Sequence, residues 1–452
     1  MKKLVNKVWV LMLVLVFSLS STQISFATNS PYSGEFYGLD MEMALRTNLE
    51  ATYGIAFANN YFRSIEMLFA FIDTLPRNRM DEIVFPAYFG GAYIDGNGNV
   101  VLLVNFSALS ARTAENSTTL MQRSESVTVR EADFSYSELW ETINLLNHLI
   151  ATNSNTEVIS NIHRWYLDVS SNRIVVELAD VVASAIEAFN NNILNSPMLV
   201  FEMSAGEEVM IIDNLLTFYY TQVYESYITD IIETNVTPFN TTFAAPGEQV
   251  TFRRGNQTLG TGSIGYRASR GSGRGFITAA HLAITIDRGG LQPGDVAYNR
   301  NNRRLGVVTT ASLNQVDAAF ILLDNGVEIS DSVAGGRIPA SAVPHIFVGQ
   351  QVYSVGITSG FRRGTVNTIG FNTTLPIRNA NGTIIATFVV NNTLRTSMVS
   401  HGGDSGGITF AFVGGSMPHA VVGIYIGGTH GEPNSIISRY NEIQRVLGVN
   451  LR

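Results

Sequence analysis

Cysteine is absent from the 452 residues. That excludes disulfides, a thiolate nucleophile, zinc–thiolate sites and redox chemistry at sulfur, so the fold must hold by packing alone. Charged side chains are also scarce, at 15% against 45% apolar. This balance excludes intrinsic disorder, and the length predicts two domains. After the N-terminal segment, no apolar run reaches the ~20 residues a spanning helix needs, so no stable membrane association is expected. No phosphate-binding glycine loop precedes a helix and no cluster has i, i+4 ligand spacing, so neither a metal nor another cofactor is expected. The arginines are scattered, without a basic helix or aromatic-interleaved strands, which argues against nucleic acid as a partner.

What is present starts at the N-terminus. Lys2, Lys3 and Lys7 precede an apolar run from Val8 to Leu19, and Ser25-Phe26-Ala27 supplies small residues at the positions a signal peptidase reads. Residues 1–27 therefore read as a secretory signal cut after Ala27, which predicts a secreted protein. The alternative is an uncleaved anchor, for which the run is short. Charge divides the rest. Residues 243–452 carry 17 arginines, no lysine and 10 acidic side chains, a net +7. With +3 in the signal and −8 overall, residues 28–242 hold −18. Opposite charge on two joined halves favours their mutual attraction.

The texture changes near residue 240. Before it, helical patterns run over Asp40–Tyr53, Ser135–Ile150 and Asp180–Phe189, with Leu139, Ile143, Leu146 and Ile150 at helical spacing. Two hairpins resemble each other: 92–104 around Gly96-Asn97-Gly98-Asn99, and 165–178 around Val169–Asn172. Each has a helix beside it, so an internal repeat of small sheets under helices is expected. Residues 233–246, with Thr, Asn, two Pro and little charge, read as a linker. From 247 to 452, short Val/Ile/Thr/Phe runs alternate with Gly, Asn and Pro turns, among them Asn379–Gly382. That pattern predicts an all-β domain, with a last helix at Asn441–Leu447.

Three elements in this half carry chemistry. Gly402-Gly403-Asp404-Ser405-Gly406-Gly407 places a serine among glycines, where the backbone turns sharply and the N–H groups of Gly403 and Ser405 can converge on an oxyanion. Residues 275–281 deliver His281 from an apolar strand, and Asp317 begins another. The order His281, Asp317, Ser405 fits one triad arrangement. Gly403–Gly407 also fits the G-x-S-x-G elbow of α/β-hydrolases. That fold needs its acid and histidine after the serine, and the 47 residues that follow Ser405 leave no room for them.

Through these motifs, residues 243–452 resemble the secreted bacterial chymotrypsin-like serine proteases of the α-lytic protease and streptogrisin family. Gly262–Tyr266, Val348–Val352, Gly364–Val366, Leu394–Thr396 and Val422–Gly428 add to the match. The preceding half is similar to that family's pro-regions through its tryptophan/tyrosine hairpins. The resemblance implies an α+β pro-region (28–232), a processing region (233–246) and a protease domain (247–452) of two six-stranded antiparallel β-barrels. Ser405 would be the nucleophile, His281 the base and acid, and Asp317 its orienting partner, with Tyr425, Ile426 and Gly427 pairing with extended protein or peptide substrate. The pro-region would act in cis as folding aid and inhibitor, removed by self-processing.

Departures accompany the match. Ile426 stands where the family has a serine supporting the aspartate. Val399 stands where a basic P1 preference would need an acid, and His430 near the pocket rim favours an acidic P1 residue. A catalytically silent protease-like binding protein remains the rival reading, and an esterase on the same fold a third.

Overall fold

The computed structural model describes residues 35–79, 82–108, 127–206, 211–212, 242–284, 289–333, 336–337, 341–378, 384–414, 419–428 and 432–452. The signal segment 1–27, residues 233–241 of the linker, the Asn379–Gly382 turn and His430 lie outside them.

The first part repeats one plan. Helices α1 (Glu35–Tyr53) and α2 (Ile55–Thr74) precede an antiparallel hairpin of β1 (Phe89–Ile94) and β2 (Val100–Val104), and β3 (Val127–Glu131) adds parallel to β2. Then α3 (Tyr136–Thr152) and α4 (Thr156–Ser160) precede the hairpin β4 (Ile162–Asp168) and β5 (Arg173–Leu178). After α5 (Ala183–Asn192), β6 (Leu199–Met203) adds parallel to β5. A two-residue strand, β7 (Ile211–Ile212), follows.

Local chemistry accounts for these elements. Ser135 accepts the Glu138 N–H while the Glu138 carboxylate accepts the Ser135 N–H, so a reciprocal cap starts α3. Leu139, Ile143, Leu146 and Ile150 then form its buried stripe. The α2 helix lies outside the helical patterns read from the sequence. It buries Tyr61, Phe62, Ile65, Leu68, Phe69 and Ile72 on one face, but Gly54 gives it no side-chain cap and the weak helix formers Asn59 and Asn60 sit in its second turn. At the second hairpin turn Asn172 adopts φ +57°, and its amide accepts the Phe134 N–H and donates to the carbonyls of Gly90 and Phe134. One side chain thus ties the two units together.

The second part is all-β. Strands β8 (Thr242–Ala244), β9 (Gln249–Arg254), β10 (Gln257–Ser263), β11 (Arg267–Arg270), β12 (Gly273–Thr278), β13 (Val296–Asn299), β14 (Arg304–Ser312), β15 (Ala318–Leu323) and β16 (Val327–Ile329) come first. After the short pair β17 (Ser332–Val333) and β18 (Gly336–Arg337) come β19 (Gln351–Gly356), β20 (Gly360–Arg378), β21 (Ile384–Val399), β22 (Ile408–Phe412), β23 (His419–Gly428) and β24 (Pro433–Arg439). Helix α6 (Tyr440–Leu447) and β25 (Asn450–Leu451) end the chain.

The first of its two large sheets differs from a six-stranded expectation. Its eight strands run β10-β9-β13-β14-β15-β12-β11-β25, because β11 folds back as a hairpin on β12 and the C-terminal β25 pairs with its free edge. In the second, β19-β22-β23-β24-β21-β20 form a path that a β19–β20 ladder closes into a ring of six. The linker expected to reach residue 246 also ends earlier. Residues 242–244 form β8, parallel to β16, and bury Ala244, so the β domain starts at Thr242 in the described residues.

The two parts share a sheet. Strand β4 pairs antiparallel with β20 through Leu167 with Ile369, Trp165 with Asn372 and Arg164 with Thr373. Beside that ladder, Asn144 and Asn147 of α3 bond the Asn392 amide, and Asn147 also accepts the Trp165 indole N–H at 2.6 Å. On another face, α2 packs on the closed ring. Phe62 meets Phe412 edge-on at 5.4 Å, and the Tyr61 hydroxyl accepts the Gln351 N–H at 2.9 Å. Strand β1 touches the same region through an Ile94 N–H donated to the Val348 carbonyl. The two parts are joined here by amides, rings and strand edges, besides whatever attraction their opposite charges supply.

Candidate active site

Sheet pairing puts His281 beside Asp317. Strand β12 ends at Thr278, which pairs with Ala319 of β15, so the residues just after one strand meet those just before the other. His281 lies in a 3₁₀ turn over Ala280–Ala283, and Asp317 directly precedes β15. The His281 Nδ1 and Asp317 Oδ2 are hydrogen-bonded. Asp317 Oδ1 accepts the N–H groups of Ala280 at 2.8 Å and His281 at 3.0 Å. Both side chains are buried, the carboxylate completely. A buried carboxylate is stable only when fully hydrogen-bonded, and these three donors hold it without the hydroxyl that Ile426 replaces. Ile426 itself is fully buried.

Ser405 lies in the loop between β21 and β22, and that loop is clasped to the histidine segment. The Ser405 carbonyl accepts the Ser263 N–H at 2.8 Å, and the Ser263 hydroxyl donates to the Gly403 carbonyl at 2.8 Å. Thr278, three residues before His281, donates its hydroxyl to the Ser263 carbonyl at 2.8 Å. Gly406 has φ +87°, and a Cβ there would collide with Thr278 Oγ1 and the Ser263 carbonyl, so glycine is required for this approach. Gly403 also has positive φ, +98°. Among the described residues, the N–H groups of Gly403 and Ser405 meet no acceptor. A pair of such donors can receive an oxyanion.

The sequence did not single out what holds the loop from below. Asp404 is completely buried and accepts N–H groups from Thr358, Ser359 and His401, together with the Ser359 hydroxyl. Arg362 Nη1 completes the set at 3.1 Å from Asp404 Oδ2. The same guanidinium lies over the Tyr425 ring at 5.0 Å and donates to the Ser354 hydroxyl. Asp404 adjoins the serine and is visible in the sequence, but Arg362 lies 42 residues upstream and only the closed ring of strands brings it there. His401 Nδ1 faces the Ser359 hydroxyl at 2.9 Å, so it belongs to this anchor.

The three residues expected to pair with substrate differ from one another. Tyr425 donates its N–H to Gly407 and accepts the Gly406 N–H, so its backbone is committed to the serine loop and is not available to an extended peptide. A bulge then leaves Ile426 out of the ladder between β23 and β24, and pairing resumes at Gly427 with Ile436. The Tyr425 hydroxyl receives the Ser400 hydroxyl at 2.9 Å, and burial pushes it up to about 12 against the opposing effects of Ser400 and Arg362. Ser435 donates to Ser400, continuing the hydroxyl chain. Among the described residues no group of three or more metal-ligating side chains occurs and no helix is long and apolar enough to cross a membrane.

Comparison with known proteins bears on both parts. Residues 137–204 match the family model described as the Pro-like C-terminal domain. No curated protein matches the chain. Among solved structures, Thermobifida fusca protease A is similar at 23% identity over 46% of this chain and 98% of its own, with a TM-score of 0.35. Cellulomonas bogoriensis chymotrypsin is similar at 23% identity over 46% and 98%, with a TM-score of 0.34. A glutamic-acid-specific serine protease, described as using a histidine triad in substrate binding, is similar at 22% identity over 46% and 100%, with a TM-score of 0.34. The chain is thus similar to a pro-region domain in its first part and to chymotrypsin-like serine proteases in its second.

Proposed function

We propose that the chain is a secreted serine endopeptidase made as a self-processing zymogen. Ser405 attacks the peptide carbonyl, and His281 takes its proton and returns it to the leaving amine. Asp317 fixes the imidazole tautomer that presents Nε2 to the serine and stabilises the imidazolium. The N–H groups of Gly403 and Ser405 receive the oxyanion, and water then releases the acyl group from Ser405. Residues 28–232 form the pro-region, which guides folding of the closed ring it grips and blocks the enzyme until the processing region before Thr242 is cut. In this reading the two large antiparallel sheets of the second part pack with the triad between them.

The observation that carries this reading is the buried His281–Asp317 pair, with Asp317 held by the histidine's own backbone, next to a serine loop bolted to the same segment. A purely structural aspartate needs no imidazole bonded to it on a segment clasped to a glycine-flanked serine. The test is expression of residues 28–452 as wild type and as Ser405→Ala, followed by chain size and amide hydrolysis. Conversion of the wild type alone to a fragment beginning near Thr242, with a ~10⁶-fold difference in kcat between the two proteins, supports the reading. If neither protein is processed nor hydrolyses amides, the cleft is a binding site only.

A further inference from the structure

The interface between the two parts contains a histidine that the catalytic reading does not use. His345 precedes β19 and is buried. Its ring lies edge-on to Phe85 at 5.2 Å and to Tyr136 at 5.5 Å, both from the first part, and to Phe347 at 4.7 Å from the second. The ionisable groups facing this cage are the Tyr136 phenol, from the start of α3, and the Arg439 guanidinium, at the end of β24. Arg439 lies 5.4 Å over Trp140, which stacks on Tyr136. An imidazolium here would gain a cation beside it and lose its water. Two of the three caging rings leave with the first part, and the His345 ring is then opened to solvent.

We propose that His345 is an acid-sensitive release element, in which protonation of its imidazole loosens the first part from the closed ring of strands. The physical basis is linkage. Burial, assisted by Arg439, holds the docked imidazole at about 3, against an ordinary 6.5. The undocked state binds the proton more readily, so docking is at full strength above pH 6.5 and weakens as pH falls from there toward 3. Between pH 7.5 and pH 5 the opening equilibrium should rise about 30-fold. The proposal rests on the zymogen reading in one respect, that departure of the first part is what frees the cleft.

The test uses the full chain carrying Ser405→Ala, so that no cleavage intervenes, with and without His345→Phe. Hydrogen exchange is read at the Ile94 and Gln351 amides, both bonded across the interface. After correction for intrinsic rates, protection in the chain that keeps His345 should fall about 30-fold from pH 7.5 to 5, and in the chain carrying His345→Phe by less than about threefold. His345→Gln serves if the phenylalanine chain does not fold. Equal losses in the histidine and substituted chains, or no loss in either, overturn the proposal. If the Ser405 chain proves inactive at every pH while acid loosening persists, the zymogen reading fails and the release element stands.

Discussion

Replacing Arg362 with Met tests whether the Asp404 anchor sets the geometry of the serine loop. Methionine keeps the length and apolar stem but removes the guanidinium that sits 3.1 Å from Asp404 and over Tyr425. Breaking a buried pair and leaving its partner charged costs ~3–5 kcal/mol when nothing else holds that partner. Asp404 retains four other donors, from Thr358, Ser359 twice and His401, which places the loss at ~2 kcal/mol. A domain of this size should then melt about 4–8 °C lower. The larger effect is expected in turnover. With its anchor weakened, the loop no longer fixes the Gly403 and Ser405 N–H groups, and loss of an aligned oxyanion donor costs about 10²–10³ in kcat with little change in KM. The assays are thermal unfolding and steady-state hydrolysis of a peptide amide. A variant that melts lower while kcat stays within a factor of two would refute the reasoning, because the neutral donors alone would then position the loop.

Further outcomes follow from other contacts. Asp317→Asn should fold, since the amide oxygen still accepts the Ala280 and His281 N–H groups, yet lower kcat by ~10⁴ because the amide fixes the wrong imidazole tautomer, read from single-turnover rates. If processing removes the first part as proposed, alanine at both Asn144 and Asn147 should leave kcat of the product unchanged, because neither residue would remain in it. It should cut the yield of active enzyme on refolding, each lost interface bond costing ~1 kcal/mol. His419, buried among Tyr353, Phe410 and Phe412, is held by burial at about 4. The unfolded chain binds its proton first, so stability is full above pH 6.5 and falls as pH drops toward 4, by ~2 kcal/mol at pH 5. Denaturant melts of His419→Phe should lose that pH dependence.

How much of this was legible in the sequence depends on the range of the interactions involved. Glycines flanking Ser405 and apolar strands beside His281 and Asp317 are local signals, and the strand runs at 249–252, 275–278 and 351–355 lie inside β9, β12 and β19. The spacing of Leu139, Ile143, Leu146 and Ile150 made α3 readable, whereas the apolar face of α2 is explained only by the ring of strands it covers. The 19-residue β20 reads as a short strand because its Gly, Asn and Thr residues mark turns in isolation. They are accommodated as bulges once β4 and β21 pair on either side. Arg362 and the commitment of the Tyr425 backbone were invisible for the same reason, since both depend on pairings between residues far apart in the chain.

The shared ladder of β4 and β20 has a consequence for the protein that remains when the first part is gone. An unpaired strand in a sheet is a template for another chain, and a straight apolar one invites fibres. Here the exposed edge is irregular. The pairing skips between Ile369 and Asn372, Gly370 sits at φ +58°, and further register shifts fall at Ile369/Phe371 and Phe371/Thr373. Such an edge accepts a partner shaped to its kinks and rejects a second copy of itself. On the proposed processing, the bulges that match β20 to its companion in the same polypeptide would also guard the second part, once alone, against self-association, in a protein with no disulfide to stiffen it.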